Sequence, residues 1–275
     1  MAKKKSDKKP SSKQKMGRPA PQPEGWDEDL HRRGLDALIA ALGEEDAQKF
    51  LMMTGVSATS YFLEHALGGL IPDPLVYVLK ITLRDSKPVI WRRMSLWSTC
   101  SLGELHSALQ IAFGWLNSHL HRFENKHGQF APFYDDVPDA NIEGARDEDE
   151  TLLAEVLQKK GDKLTYVYDM GDNWEHEIVL EKTLAVPNGE VHPPAPVCMG
   201  GENAGPPEDS GGVFGYEEGL QILSDPKDEQ YEDYREWYGE DFDATHFDLK
   251  ETNDELKDYW AHLQKLFREF LEEES

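Results

Sequence analysis

Apolar and polar positions alternate most clearly between residues 164 and 180. Leu164, Tyr166 and Tyr168 share one face of a first run, then Trp174, His176, Ile178 and Leu180 share another, the period-two spacing of β-strands. Asp169, Gly171, Asp172 and Asn173 lie between the runs. They are turn formers, because glycine accepts positive φ and short Asx side chains bond nearby backbone amides. The segment reads as strand, turn, strand, with two aspartates and Trp174 at the turn and His176 among apolar neighbours. A buried polar group left unsatisfied costs about 1–3 kcal/mol. His176 is therefore expected to be hydrogen-bonded, metal-bound or catalytic.

The same alternation marks Tyr77, Leu79, Ile81 and Leu83, and then Ile90, Arg92, Met94 and Leu96, on either side of a turn at 84–88. This second hairpin carries Trp91, Arg92 and Arg93, of which at least one cation is expected at the surface. Ser101 and Glu104 form a capping box ahead of a helix with Leu102, Leu105, Leu109, Ile111 and Ala112, ending near Gly114. His119–Phe123 is short enough for a strand, in which residues two apart point the same way, so His119 and His121 can form half of a metal site. Residues 134–150 are acidic and turn-rich and read as a solvated loop, and 151–157 as a short helix. From Pro193 to Gly212 the chain is rich in Pro and Gly and holds Cys198, Glu208 and Asp209; a long irregular stretch of this kind is expected to be functional. Residues 216–223, 229–238 and 254–273 read as helices with solvated acidic faces.

Periodicity divides the chain into a basic arm (1–25), a small helical appendage (26–70) and a main domain (71–275). The predicted class is α+β: a mixed or antiparallel sheet of about five strands, with helices packed on it and at the C-terminus. Met53–Ser57 resembles the turn of a helix-turn-helix unit. However, its second helix, 57–67, carries Glu64 and no Lys or Arg, which argues against DNA reading there.

Charge sharpens this division. The first twenty residues hold eight Lys or Arg against the single Asp7, giving +7, and the total of −24 leaves −31 for the rest. An acidic body repels phosphate backbones, so any nucleic-acid contact is expected through the arm 1–20, whose Gly17-Arg18-Pro19 core suits an A·T-rich minor groove. Two cysteines, Cys100 and Cys198, make no disulfide framework and favour a reducing compartment, the cytoplasm by default. No apolar run reaches the length of a membrane span and no signal-peptide core follows the basic start, so no membrane contact is expected.

Five ordered blocks carry a resemblance: Trp91-Arg92-Arg93; Phe113-Gly114-Trp115 leading to His119-Leu120-His121-Arg122-Phe123; Tyr166 through His176; Cys198 with Gly200; and Pro206-Pro207-Glu208-Asp209-Ser210-Gly211-Gly212 through Gly215-Tyr216. From about 73 to 256 the chain resembles the plasmid pRiA4b ORF-3-like family. The resemblance implies an α+β domain of bacteria and archaea, found beside plasmids or insertion elements, some members carrying a resolvase-like label, and it implies no particular reaction. Met170 stands where an aromatic residue is expected, a change of packing. The serine and arginine pattern of a serine recombinase is not present in recognisable form.

Two functions fit these residues. In one, a binding or adaptor module recognises a peptide or nucleic-acid ligand, or a protein partner, in a groove formed by Arg92, Trp115, His119, His121, Asp169, Asp172, Trp174, His176, Glu208 and Asp209. In the other, a metal-dependent hydrolase acting on a phosphodiester or other ester holds zinc or manganese through His119, His121, His176 and Cys198. The absence of a recognisable nucleophile and base favours the first. In both, the hairpin imidazole of His176 is the expected hub. A third, purely structural reading has these side chains bonding only their own strands and turns.

Overall fold

Strand β1 (Leu75–Leu83) lies inside an antiparallel arrangement, paired on one side with β2 (Trp91–Trp97) and on the other with β7 (Trp174–Ala185). The computed structural model describes residues 75–134, 141–185 and 195–273, apart from the side chains at 264 and 266–273. The arm 1–25, the appendage 26–70 and the 53–57 turn lie outside these described residues. Among them the sheet has eight strands in the order β5-β4-β3-β6-β7-β1-β2-β8, where β3 is His121–Asn125, β4 Gly128–Ala131, β5 Arg146–Asp147, β6 Lys163–Tyr168 and β8 Val197–Glu202. The β4–β5 pair is parallel and the other pairs are antiparallel, so the sheet is mixed, as expected.

The expectation of about five strands falls short by β4, β5 and β8. β4 and β5 are too short for alternation to register, and β8 contains Gly200 and Gly201, which have no side chain to alternate. The hairpin face also needs correction. Register sets Leu164 opposite Ile178, Tyr166 opposite His176 and Tyr168 opposite Trp174, and directly opposed residues share a face. The two apolar sets are thus one surface, and all six residues are buried.

On that surface lies α1 (Leu102–Phe113), started by the reciprocal Ser101–Glu104 capping box and stopped by Gly114 at φ 76, where a left-handed residue without Cβ strain is required. Leu102, Leu105, Leu109, Ala112 and Phe113 join Leu79, Ile81, Met94, Tyr166 and Ile178 in one core. The short α2 (Leu153–Val156) adds Leu153 and Val156 to it. After β8 come α3 (Gly212–Leu223), α4 (Tyr231–Tyr238) and α5 (Leu249–Glu273). The last helix packs on β8 and α1, fastened where Asn253 both accepts from the Cys198 amide and donates to its carbonyl.

Arg92 occurs in the buried row of β2. Its guanidinium donates to the carbonyls of Ala112, Trp91 and Glu202 and lies over the rings of Phe113 and Phe247. The Ala112 carbonyl belongs to the last turn of α1, where a cation complements the helix dipole. Burial lowers this arginine to about 10. It is a fastening inside the fold rather than a groove residue. Arg93 instead pairs with Glu181 through two hydrogen bonds.

Candidate functional site

Three connections meet at one end of the strands: the segment 114–120 between α1 and β3, the turn 169–173 between β6 and β7, and the segment 203–211 between β8 and α3. Trp115 Nε1 donates to the Pro206 carbonyl at 2.9 Å, and the Leu116 amide donates to Glu208 Oε1 at 2.9 Å. The Gly211 amide donates to Asp172 Oδ2 at 3.0 Å. Glycine permits this docking. A Cβ on Gly205 would lie 1.9 Å from the Phe113 carbonyl oxygen, and one on Gly212 would lie 2.5 Å from that of Asp172.

These connections gather His119, Asp169, Glu208 and Asp209. His119 Nε2 lies 3.7 Å from Asp169 Oδ2, 3.7 Å from Glu208 Oε2 and 3.2 Å from Asp209 Oδ1. One donor atom from each of His119, Asp169 and Asp209 falls within 4.8 Å of the others. His119 Nε2 and Glu208 Oε2 are closed off from solvent, yet neither makes a hydrogen bond. Each donor is held by its remaining atoms. Asp169, at φ 55, accepts the Gly171 and Asp172 amides on Oδ1, leaving Oδ2 for the cluster. Glu208 Oε1 accepts from Leu116 N–H and from the Tyr168 hydroxyl, leaving Oε2. Burial, with Glu208 beside it, raises the Tyr168 phenol, so the hydroxyl stays a donor. Asp209, at φ 59, is the most exposed donor, its side chain 70% accessible.

His119 is thus the histidine at the centre, not His176. His176 Nδ1 donates to the Trp174 carbonyl at 3.0 Å, and the ring is enclosed by Phe113, Trp115 and Tyr166. Trp115 stacks on Tyr168, whose ring meets His119 edge-on, so an aromatic layer separates the two imidazoles. Burial holds His176 down to about 3, and its Nε2 has no hydrogen-bond partner. Trp174 and Trp115 are buried in this layer; they support the site from below and line no open groove.

His121 also stands apart from His119. Strand geometry begins only at His121, so the alternation expected from 119 onward does not reach His119. His121 Nε2 faces both oxygens of Glu148 at 2.9 Å, and its ring stacks on His106 at 3.5 Å. His106 in turn bonds Tyr166 and Asn117. Burial drives His121 down to about 3 and the Glu148 carboxyl well up, so the pair favours its uncharged forms. Glu148 lies in the stretch expected to be solvated. Composition alone cannot single out one buried carboxylate in an acidic run. Cys198 is buried on β8, opposite Met94, with its thiol directed to the Gly200 carbonyl and raised by burial. Asp172 stays a loop fastener. Sequence reasoning had named all four clustered residues but had not separated them from the rest.

The family model described as "Plasmid pRiA4b ORF-3-like protein" matches residues 75–251, a span that contains every residue of the site. "Uncharacterized protein y4hQ" of Sinorhizobium fredii (strain NBRC 101917 / NGR234) is 34% identical over 187 residues, 66% of this chain and 93% of that protein. Among solved structures, the "Crystal Structure of Protein of Unknown Function MM3350 from Methanosarcina mazei Go1" is similar with a TM-score of 0.56 and 36% identity, covering 65% of this chain and 98% of that one.

Proposed function

This chain belongs to the plasmid pRiA4b ORF-3-like family, and from the geometry of its site we propose that it is a ligand-binding domain that works through a divalent cation held by His119, Asp169 and Asp209, with Glu208 alongside. The observation that carries this reading is the pair of solvent-closed, unbonded atoms, His119 Nε2 and Glu208 Oε2, facing one another across the cluster. Fully desolvated polar atoms without partners are unfavourable, and a cation accepts the lone pairs of both at once.

One imidazole among carboxylates is a donor set for manganese, magnesium or iron(II) more than for zinc, which favours thiolate and several imidazoles. The Cys198 thiol, raised and turned to a carbonyl, is not part of it. Asp209 opens the cluster to solvent, so coordination positions remain for an incoming ligand. No described helix is long and apolar enough to cross a membrane. Cys100 and Cys198 are buried and not joined in a disulfide, which fits the reducing interior of a cell, in keeping with a cytoplasmic protein encoded near mobile elements.

Calorimetric titration of chelator-treated protein with MnCl2 and, separately, ZnCl2 tests the reading. One equivalent of Mn2+ is expected to bind, and His119→Ala should abolish binding. Absence of binding heat with either ion, together with a melting temperature unchanged by chelator, would remove the proposal.

A further inference from the structure

Asn117 closes a ring of hydrogen bonds beneath the segment that carries His119. Its amide donates to Gln110 Oε1 at 2.7 Å, and Gln110 Nε2 donates to the Tyr166 hydroxyl at 2.9 Å. The Tyr166 hydroxyl lies 2.8 Å from His106 Nδ1, and His106 Nε2 lies 2.9 Å from Asn117 Oδ1. His106 and Gln110 stand four residues apart on α1 and so share one face, which meets Tyr166 of β6.

Donor and acceptor chemistry sets the direction of the ring. A backbone amide only donates, and the Asn117 Oδ1 oxygen only accepts, so the hydrogen between Asn117 and His106 sits on Nε2. Burial, with His121 stacked on the ring at 3.5 Å, holds His106 well below its ordinary value. The imidazole is therefore neutral, and its bare Nδ1 accepts the Tyr166 hydroxyl hydrogen. Each of the four residues then donates once and accepts once. Hydrogen bonds in such a chain polarise one another, and opening it at any point leaves buried polar groups unmatched.

The ring bears on the site through Asn117, whose backbone is left-handed at φ 54 and precedes His119 by two residues. Three successive amides lead to that imidazole. Leu116 N–H is held by Glu208, Asn117 N–H by Gln110 and Ser118 N–H by Tyr168. Glu208 is itself a member of the cluster and Tyr168 is bonded to it, so these two anchors do not fix His119 independently of the Glu208 carboxylate. The Asn117 anchor reaches the last turn of α1 instead, in the core, and supplies a reference outside the cluster.

Resting on the cation reading above, we propose that His106, Gln110 and Tyr166 are positioning residues of the cation site: the ring they form with Asn117 fixes the backbone that aims His119 Nε2 at Asp169, Glu208 and Asp209. They act through Asn117 and are not ligands themselves.

The test uses the full chain and isothermal titration. Mn2+ is titrated first into the unsubstituted protein; its failure to bind would remove the cation reading and this proposal together. Gln110→Met keeps the length of the side chain and suits a helix, but it leaves the Asn117 amide without its acceptor. Tyr166→Phe opens the ring at the hydroxyl. Mn2+ affinity is expected to fall about 10-fold in each, as for partners that orient metal ligands. Asn253→Ala is the comparison. It loosens α5 from Cys198, at the other end of β8 from the site, and should lower stability in urea while leaving Mn2+ affinity at the parent value. Unchanged affinity in Gln110→Met or in Tyr166→Phe, or an equal fall in Asn253→Ala, overturns the positioning role while the cation reading stands. A further measurement needs no substitution in the ring: heteronuclear NMR of isotopically labelled, metal-free protein near neutral pH should show His106 as the neutral Nε2–H tautomer. A hydrogen on Nδ1 would overturn the ring and the positioning role with it.

Discussion

Tyr168 donates its hydroxyl hydrogen to Glu208 Oε1 at 2.8 Å across 40 residues of sequence, so the hairpin and the Pro-Pro-Glu-Asp segment are joined at the carboxylate whose other oxygen faces His119. The same hydroxyl accepts the Ser118 amide at 3.0 Å, which adds the segment carrying His119. One phenol therefore ties two of the three connections, 114–120 and 203–211, to the end of β6, where the third begins.

Tyr168→Phe removes that oxygen with little change of shape. Two hydrogen bonds go with it, so we expect a loss of stability of about 1–3 kcal/mol and a fall in Mn2+ affinity of about 10-fold, the low end for partners that orient metal ligands. Urea melts and Mn2+ titration of the same preparation measure both. A stability loss with unchanged Mn2+ affinity would mean that the hydroxyl does not orient Glu208 for the cation.

Asp169 does two jobs that different substitutions separate. Asn keeps an oxygen for the Gly171 and Asp172 amides and tolerates the left-handed backbone at φ 55. Asp169→Asn should thus stay close to the parent in stability while Mn2+ affinity falls at least about 10-fold. Asp169→Ala should lose the turn as well, at about 1–3 kcal/mol. Retention of cation binding in the Asn variant would place the ligand set elsewhere.

How far the sequence discloses this site follows from the range of each signal. The hairpin 164–180 and the Ser101–Glu104 cap rest on contacts within a few residues, and both stand where the pattern predicts. The joining of His119 to Asp209 depends on backbone approaching backbone at Gly205 and Gly212, to which no side-chain pattern corresponds. His176 shares the periodicity of Trp174 and Ile178, and that periodicity takes it into the core. His119, two residues ahead of β3, lies outside the alternation that the strand imposes. The available clue was the chemistry of the Glu208-Asp209 pair in a glycine-rich loop, which marks a loop built for position rather than for packing.

Gly212 makes that clue measurable. Its φ of 69 and the 2.5 Å separation between a Cβ there and the Asp172 carbonyl oxygen leave Ala no relaxed placement. Gly212→Ala should destabilise by about 1–3 kcal/mol and reduce Mn2+ affinity by pushing Asp209 away from His119. A variant as stable as its parent, judged by chemical denaturation, would contradict the close docking of the two loops.

His176 predicts a pH dependence whose sign follows from its burial. Its folded value near 3 lies below the ordinary value near 6.5, chiefly through desolvation, with the Arg92 charge adding in the same direction. Below about pH 6.5 the unfolded chain takes up a proton that the folded chain refuses. The stability associated with the neutral ring is therefore complete above pH 6.5 and is lost as the pH falls toward 3, at up to about 1.4 kcal/mol per pH unit. His121 is depressed as well and acts in the same sense, while Glu148 and Asp149, both raised, oppose it. The difference between parent and variant isolates the single ring. His176→Phe fills a similar volume among Phe113, Trp115 and Tyr166 and removes the unbonded Nε2, although it leaves the Trp174 carbonyl without its donor. Near pH 7.5 the two proteins should differ by no more than about 1–2 kcal/mol; by pH 4.5 the variant should have gained on the parent by about 2–3 kcal/mol relative to that difference. Urea unfolding of both proteins at four or five pH values measures this gap, and a gap that stays constant across the series would show that the His176 ring is protonated as readily in the fold as in the unfolded chain.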